Sequence, residues 1–212
     1  MLEVRDLVAG YGGRGVARLA ELKVENGACT LLLGPSGSGK TTLLLAIAGL
    51  AQTLSGSVRI DDEDFAKLSA VVRDRRRGQR IGLVFQDLHL IPGLSALDNV
   101  LLSPFAAGVA QDRKRALELL SALGLGDKAG RSAERLSRGE AQRTAIARAM
   151  LLKPALILAD EPTASLDDPT CASVADLLAR AAQDTGAALV IATHDQRLKA
   201  RFPRVVGVEA VT

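Results

Sequence analysis

The sequence predicts an α/β fold: a parallel-sheet core, an N-terminal antiparallel β subdomain and an inserted α-helical subdomain. Three observations carry this. The apolar run CTLLL (29–33) enters a Gly-rich loop and then TTLLLAIAGL, a segment of helical length and composition. ALILAD (155–160) and ALVIAT (188–193) are continuous apolar runs with a helical pattern between them, as expected of strands buried on both faces. Residues 88–150 are rich in Ala, Leu, Arg and Glu and punctuated by Pro92, Pro104 and Gly124. Strands alternating with helices specify a parallel sheet, and the long helical stretch specifies the insertion.

In chain order, LEVRDLV (2–8) and ARLAELKV (17–24) read as strands around the turn YGGRG. SGSVRI (55–60) and IGLVF (81–85) read as two more, the second ending at Gln86. The basic run RDRRRGQR (73–80) reads as a solvated lead-in to IGLVF rather than a phosphate-binding patch. RKRALELLSALGL (113–125) has apolar residues at helical spacing. A helix is expected over about 170–185, capped by Asp168 with Pro169 at its first position. RVVGVEAV (204–211) reads as a closing strand. Residues 1–86 and 151–212 are thus assigned to the core, and approximately 87–150 to the helical subdomain.

The chain has 212 residues, which suits one domain with a small insertion. Hydrophobic residues are 48% and charged residues 24%, which excludes a disordered chain. Aromatics are 2%, so the core is built from Leu, Ala, Val and Ile, and a base-stacking nucleic-acid surface is not expected. A net charge of +3 fits phosphate ligands or an anionic membrane face without demanding either. Cys29 and Cys171 make no disulfide framework and are read as reduced thiols. Charge follows Met1 at once, so no leader is expected, and none is a regulatory extension after Thr212. The longest apolar run, LLLAIAGLA (43–51), is far short of the roughly 18–20 residues of a membrane span. If the protein serves a membrane process, other chains are expected to supply its membrane part.

GPSGSGKT (34–41) fits the pattern G-x-x-x-x-G-K-[ST]. Such a loop curls its backbone N–H groups around phosphate oxygens at the positive end of a helix. Gly34, Pro35, Ser36, Gly37, Ser38, Gly39, Lys40, Thr41 and Thr42 are the expected nucleotide contacts. Lys40 reaches the β/γ-phosphates and the Thr41 hydroxyl binds Mg²⁺. LILADE (156–161) is an apolar strand ending in two carboxylates, which are costly to bury unless a cation meets them. In a phosphate-loop protein, Asp160 is the second Mg²⁺ element and Glu161 orients or deprotonates the attacking water. In ERLSRGEAQ (134–142), Ser137-x-x-Glu140 is a capping box, and the same helix start is an anion cradle.

The order of these motifs resembles the nucleotide-binding subunits of ATP-binding-cassette (ABC) transporters, over nearly all of residues 1–200. The resemblance implies further roles, position by position. Tyr11 matches the aromatic that stacks on adenine. Gln86 matches the glutamine that touches Mg²⁺ and water. Ser137 and Gly139, in LSRGE, match the signature that contacts the γ-phosphate held by a second copy. Asp167, in SLD, matches a loop that crosses the dimer interface. His194 matches the histidine that contacts the γ-phosphate. The implied activity is ATP hydrolysis by a head-to-tail dimer peripheral to the cytoplasmic face of the inner membrane, driving an integral membrane permease. Arg138 departs from the pattern, which has Gly there, and Glu140 stands where Gln is common. RRRGQRIGLVFQ and the stretch after it resemble the lipoprotein-releasing, macrolide-exporting and cell-division branch. A regulatory module of a membrane complex that moves no solute is the rival reading. Soluble translation or repair members are disfavoured by the single domain and the lack of long coiled coils. A phosphate-loop kinase is disfavoured by LSRGE.

Overall fold

The computed structural model describes residues 1–61, 63–164 and 166–210. Strands β1 (Leu2–Tyr11) and β2 (Arg14–Val24) form an antiparallel hairpin across Gly12 and Gly13. Both glycines have positive φ, 56° and 79°, as a tight two-residue turn between right-twisted strands requires. Then follow β3 (Cys29–Leu33), α1 (Lys40–Ile47), β4 (Gln52–Ile60), β5 (Glu63–Asp64), α2 (Ala70–Arg80) and β6 (Ile81–Val84). The helices α3 (Ala96–Ala107), α4 (Arg113–Ala122) and α5 (Arg138–Met150) come next. The chain closes with β7 (Leu156–Asp160), α6 (Asp168–Thr185), β8 (Ala188–Thr193), β9 (Val205–Gly207) and β10 (Glu209–Ala210).

Two sheets result. One is antiparallel, in the order β10-β2-β1-β4-β5, and the other has the order β6-β7-β8-β3-β9 with every pairing parallel. The period of two along a strand explains how the layers stack. In β7, Leu156 and Leu158 join the cluster shared with α1 and the antiparallel sheet, whereas Ile157 and Ala159 join the cluster beneath α5 and α6. Helix α1 therefore lies between two sheets and is apolar on nearly every side; even Lys40 and Thr42 are buried. A third cluster, Leu97, Val100, Leu101, Leu120 and Leu125 with Ala147 and Leu151, gathers α3, α4 and part of α5.

The basic run 73–80 is the solvated lead-in to β6 and it is helical: it forms the larger part of α2, which buries no residue and pairs Arg76 with Glu63 and Arg77 with Asp74. Two expectations change. The closing segment is not one strand: β9 extends the parallel sheet beside β3, and β10 crosses to pair with β2. Val211, the last residue assigned to that strand, lies outside the described residues. The cap of α6 is Asp167, not Asp168. Asp167 has extended backbone and its carboxylate accepts from the Thr170 backbone N–H, three residues on, which moves Pro169 to the second helical position.

Strand β6 lies against α5 at Gly82, where an added Cβ would stand 2.4 Å from the Ala149 carbonyl oxygen. Gly82→Ala is expected to destabilise the fold by about 1–3 kcal/mol through overpacking. Urea unfolding reads this directly; an unchanged midpoint would show that α5 is not seated on β6.

Candidate active site

The parallel register brings the strand ends to one edge. Leu33 pairs with Thr193 and Asp160 with Ala192, so the loops after β3, β7 and β8 emerge together. Sites in such sheets form at this carboxyl edge. The loop after β3 reaches α1 through Gly39, at φ 86°, where a Cβ would stand 2.4 Å from that of Ala17 on β2. Only glycine lets the loop pass that close to the hairpin. Gly34 and Gly37 lie on the same loop, Pro35 and Ser36 are exposed at its tip, and Ser38 is buried.

Lys40 is 5% exposed and turns back over its own loop. Its ammonium donates to the Gly34 and Pro35 carbonyls at 3.0 and 2.9 Å and lies 3.5 Å from Glu161 Oε1. The Thr41 hydroxyl donates to Asp160 Oδ2 at 2.8 Å across 119 residues of sequence. Asp160 shares the parity of Leu156 and Leu158 along β7, which points it at α1. Burial pushes its carboxyl above the ordinary range, partly offset by the Thr41 hydrogen bond, and the neighbouring Glu161 raises it further.

Glu161 begins the next loop with φ 45°, a left-handed conformation uncommon outside glycine, and its N–H donates to the Ala192 carbonyl at 2.8 Å. The turn swings its carboxylate away from Thr41 and toward β8. There Oε2 accepts from the Thr193 hydroxyl at 2.9 Å, and Oε1 lies 2.8 Å from His194 Nδ1. The Glu161 side chain is 10% exposed and that of His194 57%, so the pair joins an inner carboxylate to an outer imidazole.

The other expected residues divide. Gln86 is exposed just beyond β6, the strand beside β7. The segment after it is held by Arg148 of α5, which donates to the Leu88 and His89 carbonyls at 2.7 Å each. His89 packs edge-on against Phe85. Tyr11 is 52% exposed at the tip of the hairpin whose β2 strand abuts Gly39. Ser137 caps α5: its hydroxyl accepts from the Glu140 N–H while the Glu140 carboxylate accepts from the Ser137 N–H. Gly139 lies in the first turn of α5. Among the described residues, no hydrogen bond or ion pair joins Ser137 or Gly139 to Lys40, Thr41, Asp160 or Glu161. Arg138 reaches the Ala164 carbonyl of its own chain at 3.3 Å. Asp167 is exposed at the start of α6; Ser165, which precedes it in the SLD motif, lies outside the described residues.

Sequence reasoning missed Thr193, Thr163, Asp195 and Arg197. A polar pair, Thr-His, ending a buried strand was a legible signal for Thr193. Nothing in the sequence marked the others: Asp195 and Arg197 pair with each other, but the partners that tie them to the site lie 29–32 residues away.

This fold and edge define a class: a phosphate-loop nucleotide hydrolase with an inserted helical unit. The family described as ABC transporter matches residues 18–164. The lipoprotein-releasing system ATP-binding protein LolD 1 of Rhodopirellula baltica is 42% identical, covering 98% of this chain and 95% of that protein. The dimeric structure of MJ0796, a bacterial ABC transporter cassette, superposes with a TM-score of 0.85 at 33% identity, covering 99% of this chain and 94% of that one. A dimeric post-hydrolysis state of MJ0796, bound to ADP and Pi, gives 0.84 with the same identity and coverage. The chain belongs to the ABC transporter family: it is an ATP-binding cassette and an ABC-type ATPase. No described helix is long and apolar enough to cross a membrane.

Proposed function

We propose that two copies of this chain close head to tail around two ATPs and that this closure drives an integral membrane permease. The observation that carries the reading is the convergence of Lys40, Thr41, Asp160, Glu161 and His194 on one sheet edge, while Ser137 and Gly139 stand at a separate, exposed helix start. A site completed by the signature of a second copy accounts for both. Asp167, exposed beside that edge, belongs to the same interface.

The residues present fit Mg²⁺. Asp160 Oδ1 is buried without a hydrogen-bond partner among the described residues, while Oδ2 is held by the Thr41 hydroxyl. Both donors are oxygens, as Mg²⁺ prefers, and no cluster of three His, Cys, Asp or Glu is present among the described residues. A cation held by one carboxylate and one hydroxyl takes its remaining ligands from water and substrate phosphates. Thr41 and Asp160, with Gln86, would hold it, and it would neutralise charge on the phosphates.

The Lys40 ammonium, now on two neutral carbonyls, meets a stronger acceptor in a phosphate oxygen. The Ser38 hydroxyl, also buried without a partner among the described residues, faces the same loop. Glu161 takes the proton of the attacking water, whose oxygen bonds to the γ-phosphorus as the bond to the bridging oxygen breaks. His194 orients Glu161 and borders the γ-phosphate. Tyr11 stacks on the adenine.

A groove of about 370 Å³, lined by Phe85, Leu102, Ala106 and Leu152, opens beside Gln86. It is the proposed seat of the permease, placing the partner next to a residue that touches the nucleotide. The likeness to LolD favours a lipoprotein-releasing complex, with the chain peripheral on the cytoplasmic face of the inner membrane. The test uses Glu161→Gln protein with ATP and Mg²⁺ as bait in detergent-solubilised membranes. A polytopic membrane protein is expected to co-purify. Capture of a cell-division complex would replace transport by mechanical signalling, and recovery of ribosomal proteins alone would overturn the membrane reading.

A further inference from the structure

Among the described residues, Arg197 is the most heavily bonded side chain near the site, and it lies outside the roles given above. Its Nε and Nη2 grip the Asp195 carboxylate, at 2.9 and 2.7 Å to its two oxygens. Its Nη1 donates to the Leu166 carbonyl at 3.2 Å and to Asp168 at the start of α6. Asp195 in turn accepts from the buried Thr163 hydroxyl at 3.2 Å and from its own neighbour, the Arg197 N–H, at 3.0 Å. One guanidinium thus spans two segments: the one that begins at His194 and the one that begins at Glu161 and ends in α6. They meet across a cavity of about 290 Å³ lined by Glu161, Thr163, His194 and Asp195.

We propose that Arg197 is a positioning residue for hydrolysis, fixing the Glu161 loop against the His194 segment so that carboxylate and imidazole keep one geometry. The inference rests on the roles given to Glu161 and His194 above. Glu161 leaves β7 through a left-handed turn, so its direction depends on what holds the loop beyond it. Arg138 pins that loop at Ala164 from α5. Arg197 pins it at Leu166 and, through Asp195, at Thr163. A planar fork satisfies a carboxylate and a carbonyl together; a lysine is a single point charge and cannot reproduce the arrangement. Among the described residues, the hydrogen-bond partners of Arg197 are Asp195, Leu166 and Asp168, and none lies in the phosphate loop. Its loss is therefore expected to act on turnover more than on the phosphate loop's hold on the nucleotide.

The test compares Arg197→Gln and Arg197→Lys with the unsubstituted chain and Glu161→Gln in steady-state ATP hydrolysis. Arg197 is 42% exposed, so both variants are compatible with the fold; thermal melting sets an assay temperature below every transition. Arg197→Gln is expected to lower kcat by roughly tenfold or more, because small displacements of reacting groups are costly. KM for ATP is expected to stay within about twofold, the signature of an effect confined to the transition state. Arg197→Lys is expected to recover less than half of kcat. An unchanged kcat in Arg197→Gln, a KM that rises as kcat falls, or full recovery in Arg197→Lys would each overturn the proposal. Slow Glu161→Gln beside normal Arg197→Gln would remove Arg197 alone. Normal turnover in Glu161→Gln would remove the base assignment and this route with it.

Discussion

Glu161→Gln is expected to cut ATP turnover by about 10²–10⁴-fold, the usual contribution of a placed general base. At 1.36 kcal/mol per decade, that is roughly 3–5 kcal/mol of barrier. The amide keeps the shape of the side chain and one oxygen for the Thr193 hydroxyl, so the loop stays folded. It cannot accept a proton from water at neutral pH. ATP affinity should hold, because Lys40 and Thr41 are untouched. The expected product is a stable ATP-bound dimer, measured as a doubling of mass in gel filtration. Adding Ser137→Ala to this background is expected to lose the dimer, since in the proposed head-to-tail arrangement the capping hydroxyl also faces the second copy's nucleotide. Wild-type turnover in Glu161→Gln would show that another group takes the proton.

Lys40→Ala is expected to weaken ATP binding by about 2–5 kcal/mol, or roughly 30- to 5,000-fold, the range for truncating one partner of a buried charge pair. Two losses combine. The phosphates lose a charge-assisted donor at the point where their negative charge is greatest. Glu161, 90% covered, loses the ammonium 3.5 Å away and keeps only the Thr193 hydroxyl and the His194 ring as partners. Isothermal titration with ATP and Mg²⁺ reads the loss. Unchanged affinity would remove the phosphate-loop assignment. A second signature separates this variant from Glu161→Gln: it loses binding before chemistry, so no ATP-bound dimer accumulates.

The Arg197–Asp195 bond adds an acid limit to the site. Arg197 holds the Asp195 carboxyl down to about 2, so the bond is intact over the whole working range. Its stabilisation is full above the ordinary carboxylate value and fades as pH falls toward 2.

What the chain determined by itself is local. A glycine-rich loop between an apolar strand and a helix can be read from spacing alone, because phosphate binding uses backbone N–H groups within eight residues. The buried strands 155–160 and 188–193 are legible because both faces of a parallel sheet are covered, leaving no polar alternation. The Ser137–Glu140 box is legible because both bonds close within four residues. Tertiary structure decided the rest. RDRRRGQR carries no apolar stripe, so its helix was invisible; it forms where Glu63 and Asp61 bring counter-charges to Arg76 and Arg80. The split of 204–210 between two sheets depends on which strand edges β3 and β2 leave open. Asp160 and Glu161, adjacent in sequence, serve different partners because strand parity sends one to Thr41 and a left-handed turn sends the other to Thr193 and His194. Arg197, besides gripping Asp195 two residues before it, reaches Leu166 and Asp168, 31 and 29 residues earlier, since a guanidinium acts through whatever the fold brings within hydrogen-bond reach.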